Sequence, residues 1–128
     1  MSDEPFCLEC GSDNVTEETS PVTHYIGERA VHVQDDHHMV CSDCGETSYP
    51  GQMLGDSMRV IAGHIRREDG LMSAEDLINA RMDLQLSTDD MDAKLNLAAG
   101  HWARLERGKV VQSPLVDRSV RELVGGLN

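Results

Sequence analysis

Cys7-Leu8-Glu9-Cys10-Gly11 and Cys41-Ser42-Asp43-Cys44-Gly45 decide how the first half of this chain folds. They contain all 4 cysteines of a 128-residue sequence. A Cys-x-x-Cys turn aims two sulfurs at one point. Two such turns supply the closed tetrahedral thiolate shell that Zn²⁺ takes in structural sites. The glycine after each second cysteine can adopt φ > 0, which lets backbone N–H groups turn toward the sulfurs. Cys7, Cys10, Cys41 and Cys44 are therefore the expected ligands of one structural zinc ion. With four thiolates the shell has no open position for catalysis.

Thirty residues separate Cys10 from Cys41, and they alternate as strands do. Val22-Thr23-His24-Tyr25-Ile26 and Ala30-Val31-His32-Val33 are β-branched runs, and Gly27-Glu28 between them reads as a hairpin turn. His38-Met39-Val40 reads as a third short strand leading into the second knuckle. His24 and His32 are expected to face outward. His37 and His38 are expected to be exposed loop residues, since the cysteines already complete a metal shell. After Pro50-Gly51 the period changes. Met53, Leu54, Met58, Ile61, Ala62 and Ile65 recur at three and four residues, as on a helix that ends near Arg66-Arg67 and is broken by Glu68-Asp69-Gly70.

The remaining chain reads as short helices. Ser73-Ala74-Glu75-Asp76 has the spacing of a capping box, and Ser87-Thr88-Asp89-Asp90 repeats it. Leu77, Ile78 and Met82 form the expected inner face of the first of these helices. Ala99 to Arg107 reads as a further helix stopped by Gly108. Ser113-Pro114 opens a last one, with Leu115, Val116, Val120, Leu123 and Val124 on one face. Trp102 is expected in the core. The fold class is α+β: an antiparallel-sheet zinc module with a trailing helix over residues 1–67, then an all-α domain over residues 68–128.

Net charge is −12. Residues 1–60 carry twelve acidic residues and two arginines, a net −10; residues 61–128 are nearly balanced at −2. The first half will repel nucleic acid and attract a basic partner. No apolar run reaches transmembrane length and the start lacks a secretory pattern, so a cytoplasmic protein with reduced, metal-bound thiols and no membrane partner is expected. There is no nucleophile elbow, phosphate-binding loop or dinucleotide fingerprint, so no enzyme is expected.

Two short helices, a tight turn and a glycine stop form the layout of a helix-turn-helix. Leu86 to Leu97 resembles the first helix and turn of the Xre/Cro-like repressors, and Trp102-Ala103-Arg104-Leu105-Glu106-Arg107-Gly108-Lys109 resembles the end of their recognition helix. With the paired knuckles, nearly the whole chain resembles the YgiT/MqsA-type zinc-finger antitoxins. The resemblance implies a zinc module that grips a basic toxin, usually a ribonuclease, in a type II toxin-antitoxin system. It also implies a C-terminal domain that dimerises, binds palindromic operator DNA and regulates transcription. Arg104 matches the guanine-reading arginine, and a guanidinium suits the two acceptors of the guanine edge. His101, Thr88, Arg107 and Lys109 are further candidate DNA contacts, followed by Lys94, Arg118 and Arg121. The alternative is an acidic protein-binding module whose helix-turn-helix does not read DNA. It rests on Asp89 and Asp90 facing phosphates, and on Ala98-Ala99-Gly100 where the family is polar. Iron is the rival metal, because rubredoxins use the same knuckles; they surround their iron with aromatics, which are scarce here.

Overall fold

The computed structural model describes residues 6–126. β1 (Val15–Ile26) and β2 (Arg29–Cys41) pair as one long antiparallel hairpin, turning at Gly27 with φ 65°. β3 (Thr47–Ser48) adds to the other edge of β2, beside Met39 and Val40. His38-Met39-Val40 is thus the end of β2 and not a separate strand. The third strand comes after the second knuckle.

The register contains one irregularity, and it decides which side chains point inward. Ser20 faces Asp36 and Val22 faces Val33, so Gln34 and Asp35 together oppose the single Pro21. This is a β-bulge, and proline within a strand is tolerated at such a site. Because side chains alternate with period two, one extra residue reverses the parity of everything beyond it. Val31 and Val33 are buried before the bulge; Asp36 and His38 are buried after it. His24 pairs with Val31 and shares its inward face. The expectation of outward His24 and loop-exposed His38 is therefore corrected: both point in. Of the four hairpin histidines, His32 and His37 are exposed, and His37 lies on β2 and not in a loop.

Five helices follow: α1 (Gln52–Asp69), α2 (Ala74–Leu84), α3 (Thr88–Leu95), α4 (His101–Glu106) and α5 (Pro114–Gly125). The chain divides into two compact units between Ser57 and Met58. Gly70, at φ 68°, ends α1, with Leu71 N–H donating back to Arg66 O at 2.8 Å. Ser73 and Ser87 head complete capping boxes with Asp76 and Asp90, satisfying backbone donors that helix starts leave open. Ser113 caps α5, with Pro114 at its first position.

The core of the helical unit is Leu77, Ala80, Met91, Trp102, Leu105 and Val120. Burying an aliphatic side chain of this size contributes about 1.5–3 kcal/mol. Met82 and Leu115, expected on inner faces, are instead 61% and 69% exposed. Among the described residues no helix is long and apolar enough to cross a membrane.

Candidate metal centre and the α3–α4 surface

The two knuckles have the same local geometry. In each, the first cysteine accepts from the glycine: Gly11 N–H to Cys7 O at 2.7 Å and Gly45 N–H to Cys41 O at 2.8 Å. In each, the first cysteine's own N–H reaches five residues on, Cys7 to Ser12 O and Cys41 to Glu46 O, both at 2.9 Å. Gly11 and Gly45 sit at φ 75° and 78°, where a side chain would be strained. Cys7 and Cys41 are buried while Cys10 and Cys44 are exposed.

The hairpin brings the knuckles together. β1 begins just after the first, β2 ends on Cys41, and Val15 pairs with Cys41. Ser42 N–H donates to Asn14 O at 2.9 Å. Asp43 accepts from Asn14 Nδ2 at 3.1 Å and from the Ser12 hydroxyl, and these donors hold its carboxyl below the usual range.

All four sulfurs lie within 4.8 Å of one another. Cys7 Sγ is 3.5 Å from Cys44 Sγ, and Cys10 Sγ is 3.6 Å from Cys41 Sγ. A tetrahedral zinc site with Zn–S near 2.3 Å has sulfur–sulfur edges of about 3.8 Å, so the spacing fits the ion. Backbone N–H of Cys44, and then of Asp43, outweigh burial and bring the Cys41 thiol down to about 7. Cys7, Cys10, Cys41 and Cys44 form a site for one structural zinc ion. When bound, the ion cross-links the two ends of the hairpin.

A polar cluster lies in the same unit. Asp36, 3% exposed, accepts from His24 Nε2 at 2.7 Å, His38 Nδ1 at 2.8 Å and Tyr49 Oη at 2.6 Å. Burial alone would raise its carboxyl; the donors Tyr49, His24 and His38 overcome this and lower it. Burial, and then the Asp36 charge, push the Tyr49 phenol up. This buried carboxylate is fully satisfied, as stability requires. Pro21 was the sequence signal that could have revealed it.

In the helical unit, Asp92 organises the step from α3 to α4. α4 starts at Gly100, which offers no capping side chain. Asp92, 6% exposed, supplies the cap from α3, accepting from Gly100 N–H at 2.9 Å and Trp102 N–H at 2.8 Å. A carboxylate there also meets the positive end of the helix. On the opposite end, Arg66 Nη2 donates to Leu105 O at 3.4 Å and Val110 O at 2.7 Å, while Arg59 Nε donates to Arg107 O at 3.1 Å. Glu106 turns inward to Arg81 Nε at 2.7 Å. Trp102 and Leu105 fill the core.

These contacts leave one face of α4 outward. His101, Arg104 and Arg107 recur every three residues along it, so they are neighbours on that face. Arg104 and Arg107 are exposed and His101 is half-buried. Thr88 opens α3, half-buried, and Asp89 beside it is exposed. Lys109 is exposed beyond the turn at Gly108, and Lys94 and Arg118 are exposed elsewhere. Arg121 is occupied, donating to Asp117 Oδ2 at 2.7 Å and Gly70 O at 3.0 Å. Sequence reasoning missed Arg66, Gln112 and the capping role of Asp92.

Comparison with protein-family models gives no match for this chain, and comparison with curated proteins gives none either.

Proposed function

We propose that this chain is a zinc-organised antitoxin and DNA-binding autoregulator of a type II toxin-antitoxin system. In this reading the acidic N-terminal module neutralises a basic toxin, possible toxins including ribonucleases, and the helical unit forms a homodimer that reads a palindromic operator. The observation that carries the reading is the fixed presentation of α4. The Asp92 cap at one end and the arginine-bound carbonyls of Leu105 and Arg107 at the other hold a helix whose outward face bears His101 and Arg104, with Arg107 at its C-cap. Arg104 reads guanine in the major groove. Thr88, Arg107 and Lys109 contact phosphates, which position the protein without specifying sequence.

The test is a gel shift with the chain's own upstream region at stated salt. Specific binding that Arg104→Ala abolishes supports the reading; no specific shift, or one unchanged in the variant, refutes it. A second reading is an acidic protein-binding module whose helix-turn-helix does not read DNA. It is favoured by Asp89 and Asp90, two carboxylates at the start of α3; Ser87's N–H and hydroxyl hold Asp90 ionised. A basic protein recovered in stable complex without any operator shift selects this second reading.

A further inference from the structure

Arg59, Gly63, Arg66 and Arg67 lie four, three and one residues apart and share one face of α1. That face, the start of α2 and the end of α4 enclose a cleft of about 490 Å³. Gly63, Ser73, Ala74 and Gly108 are the small residues of its lining. A Cβ on Gly108 would meet Ala74 Cβ at 3.6 Å and Arg59 Cγ at 3.7 Å, an ordinary van der Waals contact with both. Arg107 completes the lining, which thereby holds four of the chain's 11 basic residues. Glu75 and Asp76 also line it, leaving an excess of two positive charges. This concentration stands out in a chain of net charge −12.

Two features of these arginines point to an anion. Arg66 is 3% exposed, yet its contacts are all neutral: Gln112 Oε1 at 3.0 Å and the carbonyls of Leu105 and Val110. Among the described residues no carboxylate pairs with it. A buried charge satisfied in hydrogen bonds but not in charge is costly, and an anion nearby would offset it. The guanidinium groups of Arg67 and Arg107, exposed at the same cleft, make no hydrogen bond or ion pair among the described residues. Their planar forks match phosphate oxygens two at a time. A phosphate monoester carries about −1.5 to −2 at neutral pH, close to the excess in the lining.

We propose that this cleft binds a phosphate dianion, either inorganic phosphate or the phosphate of a mononucleotide, through Arg67 and Arg107. The volume falls in the range of ordinary ligand sites, about 300–1,000 Å³, and has room for more than a bare phosphate. The site is separate in its chemistry from guanine reading by Arg104.

The experiment is a ¹H–¹⁵N NMR titration of the zinc-loaded full chain with inorganic phosphate, adenosine 5′-monophosphate and duplex DNA in separate arms. Sodium chloride at matched ionic strength is the control. The expected result is a saturable shift of the Gly63, Ala74 and Gly108 amides with phosphate or the mononucleotide, and none with chloride. A tighter mononucleotide than phosphate identifies the larger ligand. Arg67→Gln should weaken binding at least tenfold. Gly63→Leu, which places a side chain in the cleft and suits a helix interior, should abolish binding while the remaining spectrum keeps its folded dispersion. Arg104→Ala should leave it unchanged, so the site stands or falls independently of guanine reading by Arg104, while Arg107 is common to the cleft and to the phosphate contacts of the DNA-binding reading. Equal shifts with chloride, wild-type affinity in Arg67→Gln, or shifts with duplex DNA alone would overturn the proposal.

Discussion

Replacing Asp92 by alanine removes both acceptors at the start of α4. The carboxylate receives Gly100 N–H at 2.9 Å and Trp102 N–H at 2.8 Å, and it is nearly out of contact with water. A hydrogen bond to a charged group contributes about 1.5–3 kcal/mol. Trp102 N–H is buried and gains no solvent partner, whereas Gly100 N–H is half-exposed and regains water. The expected loss is therefore about 3–4 kcal/mol, well above the ~1 kcal/mol of an ordinary exposed cap. For a unit of about 70 residues this lowers Tm by roughly 12–30 °C. Asparagine keeps one oxygen acceptor and loses the charge, so Asp92→Asn should fall about halfway. The readout is urea and thermal unfolding followed by fluorescence of Trp102, the single tryptophan, which is fully buried in this unit's core. An alanine variant within 0.5 kcal/mol of the parent, on the order of a neutral surface change, would refute the reasoning. So would an asparagine variant less stable than alanine.

Purified chain should contain one zinc per molecule by atomic absorption; chelation should expose four thiols to a thiol reagent and lose the sheet's circular dichroism, and a protein that keeps its sheet without metal contradicts a structural ion. Acid should destabilise the helical unit in a defined direction. Burial would raise the Asp117 carboxyl, but donation from Met72 N–H, Arg121 and Gln112 overcomes this and lowers it. Its contribution is thus complete above the unfolded value near pH 4 and is lost as pH falls through the folded value. Asp117→Asn should be less stable at neutral pH and show a flatter acid limb in Trp102-monitored melts. Identical slopes in the two proteins would exclude Asp117 as a contributor.

The features legible in the sequence are those encoded in a few consecutive residues. The cysteine spacing places the ligands, and Ser73-Asp76 and Ser87-Asp90 place two helix starts, because each motif closes its own hydrogen bonds locally. What escaped depends on partners far along the chain. The inward turn of His24 and His38 follows from two residues of β2 opposing one of β1, a count that neither strand carries alone. Arg66 reads as an ordinary basic residue at a helix C-terminus until Gln112, 46 residues away, is seen to accept from it. Met82 and Leu115 went astray for another reason. Over eleven or twelve residues an apolar pattern permits more than one helix rotation, and only the packed neighbours choose between them.

The zinc ligands come from both ends of the hairpin, and this changes what a break in the chain means. A cut at the exposed turn Gly27-Glu28 would separate Cys7 and Cys10 from Cys41 and Cys44 in sequence, yet both strands would still be tied at their far ends by metal–sulfur bonds. While the ion stays, the nicked module keeps its surface. Once a stronger chelator takes the ion, the same nick becomes a dissociation. The lifetime of this module is then governed by zinc supply as much as by proteolysis.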